Sequence, residues 1–194
     1  MNKAVFLDKD GTLIPDIPYN IDPEKIALSD NSIEGLRLLS AAGYKLIVIS
    51  NQSGIARGYF SEFQFLWVIK TLHELLEAEG IMLDGFYYCP HHPAGIVAKY
   101  AIDCDCRKPM PGMLLKAAEG HQLDLKQCWM IGDILNDVEA GNRAGCGSIL
   151  IDNGNETEWL TGPHRQPYFT CGSINEAAIC IRNYSLAHVG LEQR

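Results

Sequence analysis

A chain of 194 residues, 47% hydrophobic and 21% charged, fits one folded domain with a core of its own and excludes a disordered polypeptide. The net charge of -8 disfavours a nucleic-acid backbone as partner, because such binding depends on a basic face. No apolar run could span a bilayer, and Met1-Asn2-Lys3 leads straight into a strand instead of a cleavable signal, so a cytoplasmic protein without membrane partners is expected.

In chain order, Ala4 to Leu7 reads as a short buried strand running out into Asp8-Lys9-Asp10-Gly11-Thr12. The strand period of two puts Asp8 and Asp10 on the same side, and Gly11 permits the bend that aims both into one crevice. Two like charges so close call for a cation or a shared proton; an Asx turn capping a polar strand end is the competing reading. After a polar loop with Pro15, Pro18 and Pro23, Asp30 or Ser32 can cap a helix carrying Ile33, Leu36 and Leu39, stopped at Gly43. Leu46 to Ile49 forms a second strand that ends at Ser50-Asn51-Gln52. Ser61 to Glu79 is helical in period, with Phe65, Val68, Ile69, Leu72, Leu75 and Leu76 on one stripe and Gly80 as terminator.

Phe86 to Tyr88 is a third strand, followed by an irregular stretch, Cys89 to Pro111, longer than a compact connection needs. The pattern then predicts a helix from Gly112 to His121, a strand from Cys128 to Ile131 ending at Gly132-Asp133, a helix from Asn136 to Ala144 and a strand from Ser148 to Ile151. A weak strand at Tyr168 to Thr170 and a helix capped by Ser173 finish the order, with residues 186–194 expected as a loose tail. Strand and helix alternate throughout, so the fold class is α/β: a three-layer, Rossmann-like parallel sheet in one domain, residues 1–185, with helices on both faces.

Carboxyl ends of parallel strands lie on one edge, so Asp8, Asp10, Ser50, Asn51, Cys89 and Asp133 converge there. Three carboxylates, a hydroxyl and the nearby Arg107-Lys108 pair suit Mg²⁺ and a phosphate. A solvated basic pair and a turn serine are the blander readings of those groups. Seven cysteines, an odd number, fit reduced thiols better than a disulfide framework. Cys89-x-His91 and Cys104-x-Cys106 offer three thiolates and an imidazole, a closed set for structural Zn²⁺, with free thiols as the other reading and His92 as an alternative to His91. Cys128, Cys146, Cys171 and Cys180 read as packed apolar residues.

Taken together, Asp8-Lys9-Asp10-Gly11-Thr12, Ser50, Arg107-Lys108-Pro109 and Gly132-Asp133 with Asp137 resemble the four motifs of the haloacid dehalogenase superfamily. Ser50-Asn51-Gln52-Ser53-Gly54-Ile55-Ala56-Arg57-Gly58 and Cys104-Asp105-Cys106-Arg107-Lys108-Pro109 resemble the D-glycero-D-manno-heptose 1,7-bisphosphate phosphatase family within it. Histidinol-phosphate phosphatases share the zinc loop and the Asp-x-Asp start. The resemblance implies a capless, Mg²⁺-dependent phosphatase acting on a small sugar phosphate, as a monomer, in the supply of lipopolysaccharide precursors. It makes Asp8 the nucleophile, Asp10 the acid and base, and Asp8, Asp133 and the Asp10 carbonyl the Mg²⁺ ligands, with Ser50, Asn51 and Lys108 holding phosphate.

Asp137 is implied to orient Lys108 or the metal shell, with a solvated helix-face carboxylate as the other reading, and Zn²⁺ on Cys89, His91, Cys104 and Cys106 is implied to fix the direction of Arg107 and Lys108. Substrate contacts are implied for Asp16, Tyr19, Gln52 and Ser53, with Arg57 and Arg107 on a second phosphate. Lys9 departs from a common arginine, Ser50 from threonine and Ile134 from lysine. A phosphoacceptor receiver is the rival outside enzymes; its phosphoaspartate persists, which Asp10 argues against.

Overall fold

Alternating side chains of the central strand β1 (Lys3–Leu7) feed two separate cores: Val5 and Leu7 enter one, Ala4 and Phe6 the other. The computed structural model describes residues 2–189. After β1 come α1 (Ile33–Ala41), β2 (Tyr44–Asn51), the short α2 (Ser53–Ala56), α3 (Glu62–Ala78), β3 (Gly85–Cys89) and α4 (Gly112–His121). Then follow β4 (Trp129–Gly132), α5 (Leu135–Ala144), β5 (Gly147–Ile151), β6 (Phe169–Cys171) and α6 (Ile174–Val189). The strands pair in parallel in the order β3-β2-β1-β4-β5-β6, with Leu7 opposite both Val48 and Ile131. The three-layer α/β architecture expected from the alternation is the one observed.

Helices α1, α3 and α6 line the first core, and α4 and α5 the second. The stripe Phe65, Val68, Leu72 and Leu76 of α3 is fully buried, each side chain stabilising by about 1.5–3 kcal/mol. Ser61 starts that helix with a capping box: its hydroxyl accepts the Gln64 N–H at 3.2 Å and the Gln64 amide oxygen accepts the Ser61 N–H at 2.9 Å. Helix α1 starts differently. The Ser32 hydroxyl donates to the Ser29 carbonyl and forms no cap, whereas Asn175 of α6 accepts the Gly35 N–H at 2.6 Å. A Cβ at Gly35 would stand 2.7 Å from the Ile174 carbonyl, so the two helices touch through a residue without a side chain.

The last helix passes the boundary set at residue 185, because Ser185 bonds Tyr44 at 2.9 Å and the Tyr184 ring lies 5.2 Å from that of Trp129; residues 190–194 of the expected tail lie outside the described residues. Among the described residues, no helix is long and apolar enough to cross a membrane. Chain order and sheet order reverse between β1 and β4. That reversal opens a crevice at the carboxyl ends of the strands.

Candidate active site

The Asp8 N–H donates to the Ile131 carbonyl at 2.9 Å, extending the β1–β4 ladder by one rung and setting Asp8 beside Gly132 and Asp133. The chain then turns at Gly11, whose φ of 85° suits glycine, and a Cβ there would overlap the Asp133 carboxylate. This turn brings the Thr12 hydroxyl to Asp133 Oδ1 at 3.0 Å. Asp8, Asp133 and Asp137 are all buried and present carboxylate oxygens within 4.8 Å of one another.

Burial pushes the Asp8 carboxyl well up, the Lys108 ammonium opposes this, and the neighbouring carboxylates add to it. Asp133 is raised to about 6 by burial and by Asp137, against the hydrogen bonds from Asn155 and Thr12. Asp137 is already engaged: its Oδ1 pairs with Lys108 at 2.6 Å and its Oδ2 accepts the Ile134 N–H at 3.3 Å. Asp8 and Asp133 are thus hard-oxygen donors whose mutual repulsion a divalent cation would relieve, and this donor set fits Mg²⁺.

Lys108 is buried and bonds the Asp8 carboxylate, Asp137 and the Ile49 carbonyl. Burial alone would lower its pKa, but the facing Asp137 and Asp8 charges outweigh this and hold it raised. Its backbone is clasped by Asn51, whose amide donates to the Lys108 carbonyl and accepts the Lys108 N–H, both at 3.0 Å. Both polar atoms of that side chain are engaged, with one amide hydrogen left over. Asn51 thereby positions the lysine while also lining the cleft expected to hold phosphate.

Gln52 Nε2 donates to Ser50 Oγ at 2.8 Å and to Asp10 Oδ2 at 2.9 Å, while the other Asp10 oxygen pairs with buried Lys9. Because Ser50 accepts from Gln52, its own proton is free for a ligand. Asp8, Asp10, Asp16, Asn51, Lys108, Asp133, Ile134 and Asn155 line one cleft of about 210 Å³. A neighbouring cleft of about 260 Å³ shares Asp10, Asp16 and Asn51 and adds Lys9, Tyr19, Gln52 and Ser53. Burial and the Asp10 charge raise the carboxyl of Asp16 between them.

On the far side of Lys108, Arg107 and His92 border a third cleft, and Arg57 Nη2 approaches His92 Nε2 at 3.1 Å. Arg57 Nε and Arg107 Nη1 are buried without a hydrogen-bond partner among the described residues.

Cys89, His91, Cys104 and Cys106 converge on one point. Cys106 Sγ lies 3.1 Å from Cys89 Sγ, 3.2 Å from Cys104 Sγ and 3.3 Å from His91 Nδ1, and Cys89 lies 3.5 Å from Cys104 and 3.7 Å from His91. The sulfur–sulfur edge of a tetrahedral thiolate zinc site is about 3.8 Å, so small outward shifts would seat the ion. The donor chemistry fits zinc. His92 Nδ1 instead faces the Ala94 N–H, leaving His91 as the imidazole of the set. Cys89 pairs in register with Asn51, and Cys106 precedes Arg107, so this cluster and the Lys108 clasp are contiguous.

Asn153 and Asn155 were not singled out by sequence, and Lys9 only as a departure from a common arginine. Lys9 carried a weak signal, lying between two aspartates; the asparagines carried none, since their partners are more than twenty residues away.

A family model described as HAD-hydrolase-like matches residues 105–177. The D-glycero-beta-D-manno-heptose-1,7-bisphosphate 7-phosphatase of Pasteurella multocida (strain Pm70) is 47% identical over 79% of this chain and 84% of its own. The enzyme of the same name from Haemophilus influenzae is 48% identical over 73% and 76%. Among solved structures, D,D-heptose 1,7-bisphosphate phosphatase from B. bronchiseptica, complexed with magnesium and phosphate, superposes with a TM-score of 0.81 at 28% identity, covering 95% of this chain and 99% of its own. The chain belongs to the D-glycero-beta-D-manno-heptose-1,7-bisphosphate 7-phosphatase family of haloacid-dehalogenase-like hydrolases and is a phosphatase.

Proposed function

We propose that the protein removes the 7-phosphate of D-glycero-β-D-manno-heptose 1,7-bisphosphate through an aspartyl-phosphate on Asp8. The observation that carries this reading is the buried meeting of Asp8, Asp133 and Lys108, with Asp10 on the same cleft wall. An Asp8 oxygen attacks phosphorus as the bond to the sugar oxygen breaks, and Asp10 gives that oxygen its proton. Asp10 then takes a proton from water, whose oxygen attacks phosphorus and frees the Asp8 carboxylate.

Asp8, Asp133 and the Asp10 carbonyl are the proposed holders of Mg²⁺, which when bound neutralises charge on the phosphoryl oxygens. Lys108 and the free proton of Ser50 bind the transferring group, and Lys9 and Gln52 hold the Asp10 carboxylate. Asp16, Tyr19 and Ser53 border the sugar's path. The unpartnered Arg57 and Arg107 nitrogens suit a second phosphate, which favours a bisphosphate over histidinol phosphate. We further propose a structural Zn²⁺ on Cys89, His91, Cys104 and Cys106.

The deciding experiment compares kcat/KM for the heptose bisphosphate and for histidinol phosphate with Mg²⁺ present. A higher value for the bisphosphate is expected, falling when Arg57 or Arg107 is replaced by Met. Preference for histidinol phosphate would overturn the substrate assignment, and a single turnover that stalls at phosphoprotein would favour a receiver.

A further inference from the structure

The connection from β5 to β6 reaches back over the crevice and makes three attachments to it. Asn153 Nδ2 donates to the Gly11 carbonyl at 2.7 Å, Asn155 Nδ2 donates to Asp133 Oδ2 at 2.8 Å, and Glu156 Oε2 accepts the Leu135 N–H at 2.6 Å. We infer that Asn155 is a positioning residue for the phosphatase reaction, orienting the Asp133 carboxylate toward the cation. This rests on the proposed reading of Asp133 as a Mg²⁺ ligand.

Thr12 donates to one Asp133 oxygen at 3.0 Å and Asn155 to the other, so rotation of the carboxylate is blocked from both sides. One lone pair on each oxygen is consumed by these donors, and the remaining pair is held at a fixed heading. The Asn155 nitrogen carries hydrogens and cannot itself compete for the metal. Its seat is equally defined: the Asn155 N–H donates to Asn153 Oδ1 at 3.2 Å, and the amide borders the cleft beside Asp8 and Lys108. Asn153 and Glu156 already tie the loop down, so anchoring the loop does not require the Asn155 amide. Its contact with Asp133 is what remains to be explained, and orientation of a ligand accounts for it.

The test measures Mg²⁺ binding by calorimetry, without substrate, in the wild type, Asn155→Ala, Asn155→Leu and Asp133→Asn, together with unfolding midpoints and the Mg²⁺ dependence of phosphatase rate. Outer partners of metal ligands typically contribute 10–100-fold in affinity. Both Asn155 variants are expected to fold and to bind Mg²⁺ about tenfold more weakly. Their half-saturating Mg²⁺ should rise in parallel, with the KM for sugar phosphate at saturating Mg²⁺ little changed. Leucine keeps the volume without the donor, so weakening in alanine alone would overturn the inference by showing a cavity effect. Wild-type Mg²⁺ affinity in both folded variants, or failure of both to fold, would overturn it in favour of a purely structural contact. Retention of wild-type affinity by Asp133→Asn would instead overturn the ligand assignment, and this inference with it.

Discussion

Lys108 stands between two buried carboxylates, and removing it would leave both Asp8 and Asp137 unpaired in a dry site. Breaking such a group by deleting one partner costs about 3–5 kcal/mol, so Lys108→Met should lower the urea midpoint as well as abolish turnover. Asp8→Asn removes the nucleophile without that imbalance; phosphatase rate should fall at least about a thousandfold with the thermal midpoint preserved, and near-normal turnover would contradict the assignment. In the metal-free protein the charged form of Asp133 is destabilising, because burial and Asp137 both disfavour it. Its folded pKa of about 6 lies above the ordinary 3.8, so the stability it contributes is fully present below pH about 4 and is lost as pH rises through about 6. Asparagine does not titrate. Without added Mg²⁺, Asp133→Asn should gain on the wild type across that window by on the order of 2 kcal/mol, roughly 5 °C in Tm, while losing activity in Mg²⁺. A Tm difference between the two proteins that stays constant from pH 4 to 7 would contradict this account.

The segment between β3 and α4 has little core of its own, and it brings Cys89, His91, Cys104 and Cys106 together, the proposed holders of zinc. Stripping zinc with a strong chelator, or replacing Cys104 by Ser, should make residues 89–111 sensitive to protease and lower the rate at least about tenfold, through misplacement of Arg107 and Lys108. Protein that is fully active with no zinc by elemental analysis would contradict it. The convergence of these four residues was legible because thiols and imidazole in close pairs have few other uses, and the strands because buried parallel strands are apolar runs. Helix α2 escaped notice because four residues, Ser53 to Ala56, show no period. Ser32 misled for a different reason: a favourable capping residue lost to the Asn175 side chain, a partner 140 residues distant from Gly35. The clasp of Asn51 on Lys108 was not legible either, since nothing in the local sequence shows that its amide closes on that peptide.

The crevice lies on the seam where the sheet order reverses, so its walls come from β1, β2 and β4 and from the loops after β3 and β5. A ligand bound there ties both halves of the sheet together. Mg²⁺ with inorganic phosphate, each at a hundredfold excess over its Kd, should raise Tm by at least about 5 °C, and Asp8→Asn should lose most of that shift. An unchanged midpoint in the wild type would show that the folded protein does not bind them, and an equal shift in Asp8→Asn would place the ligand elsewhere. The meeting of α1 with α6 through Gly35 and Asn175 has a consequence for synthesis. Helix α1 leaves the ribosome roughly ten seconds before α6 at ordinary elongation rates. Through that interval Leu36 and Leu39 lack the cover that Ile174, Ala177 and Ala178 later supply. The nascent chain therefore carries a greasy, adhesive patch until α6 has emerged, which makes that stretch of the polypeptide a natural customer for chaperones.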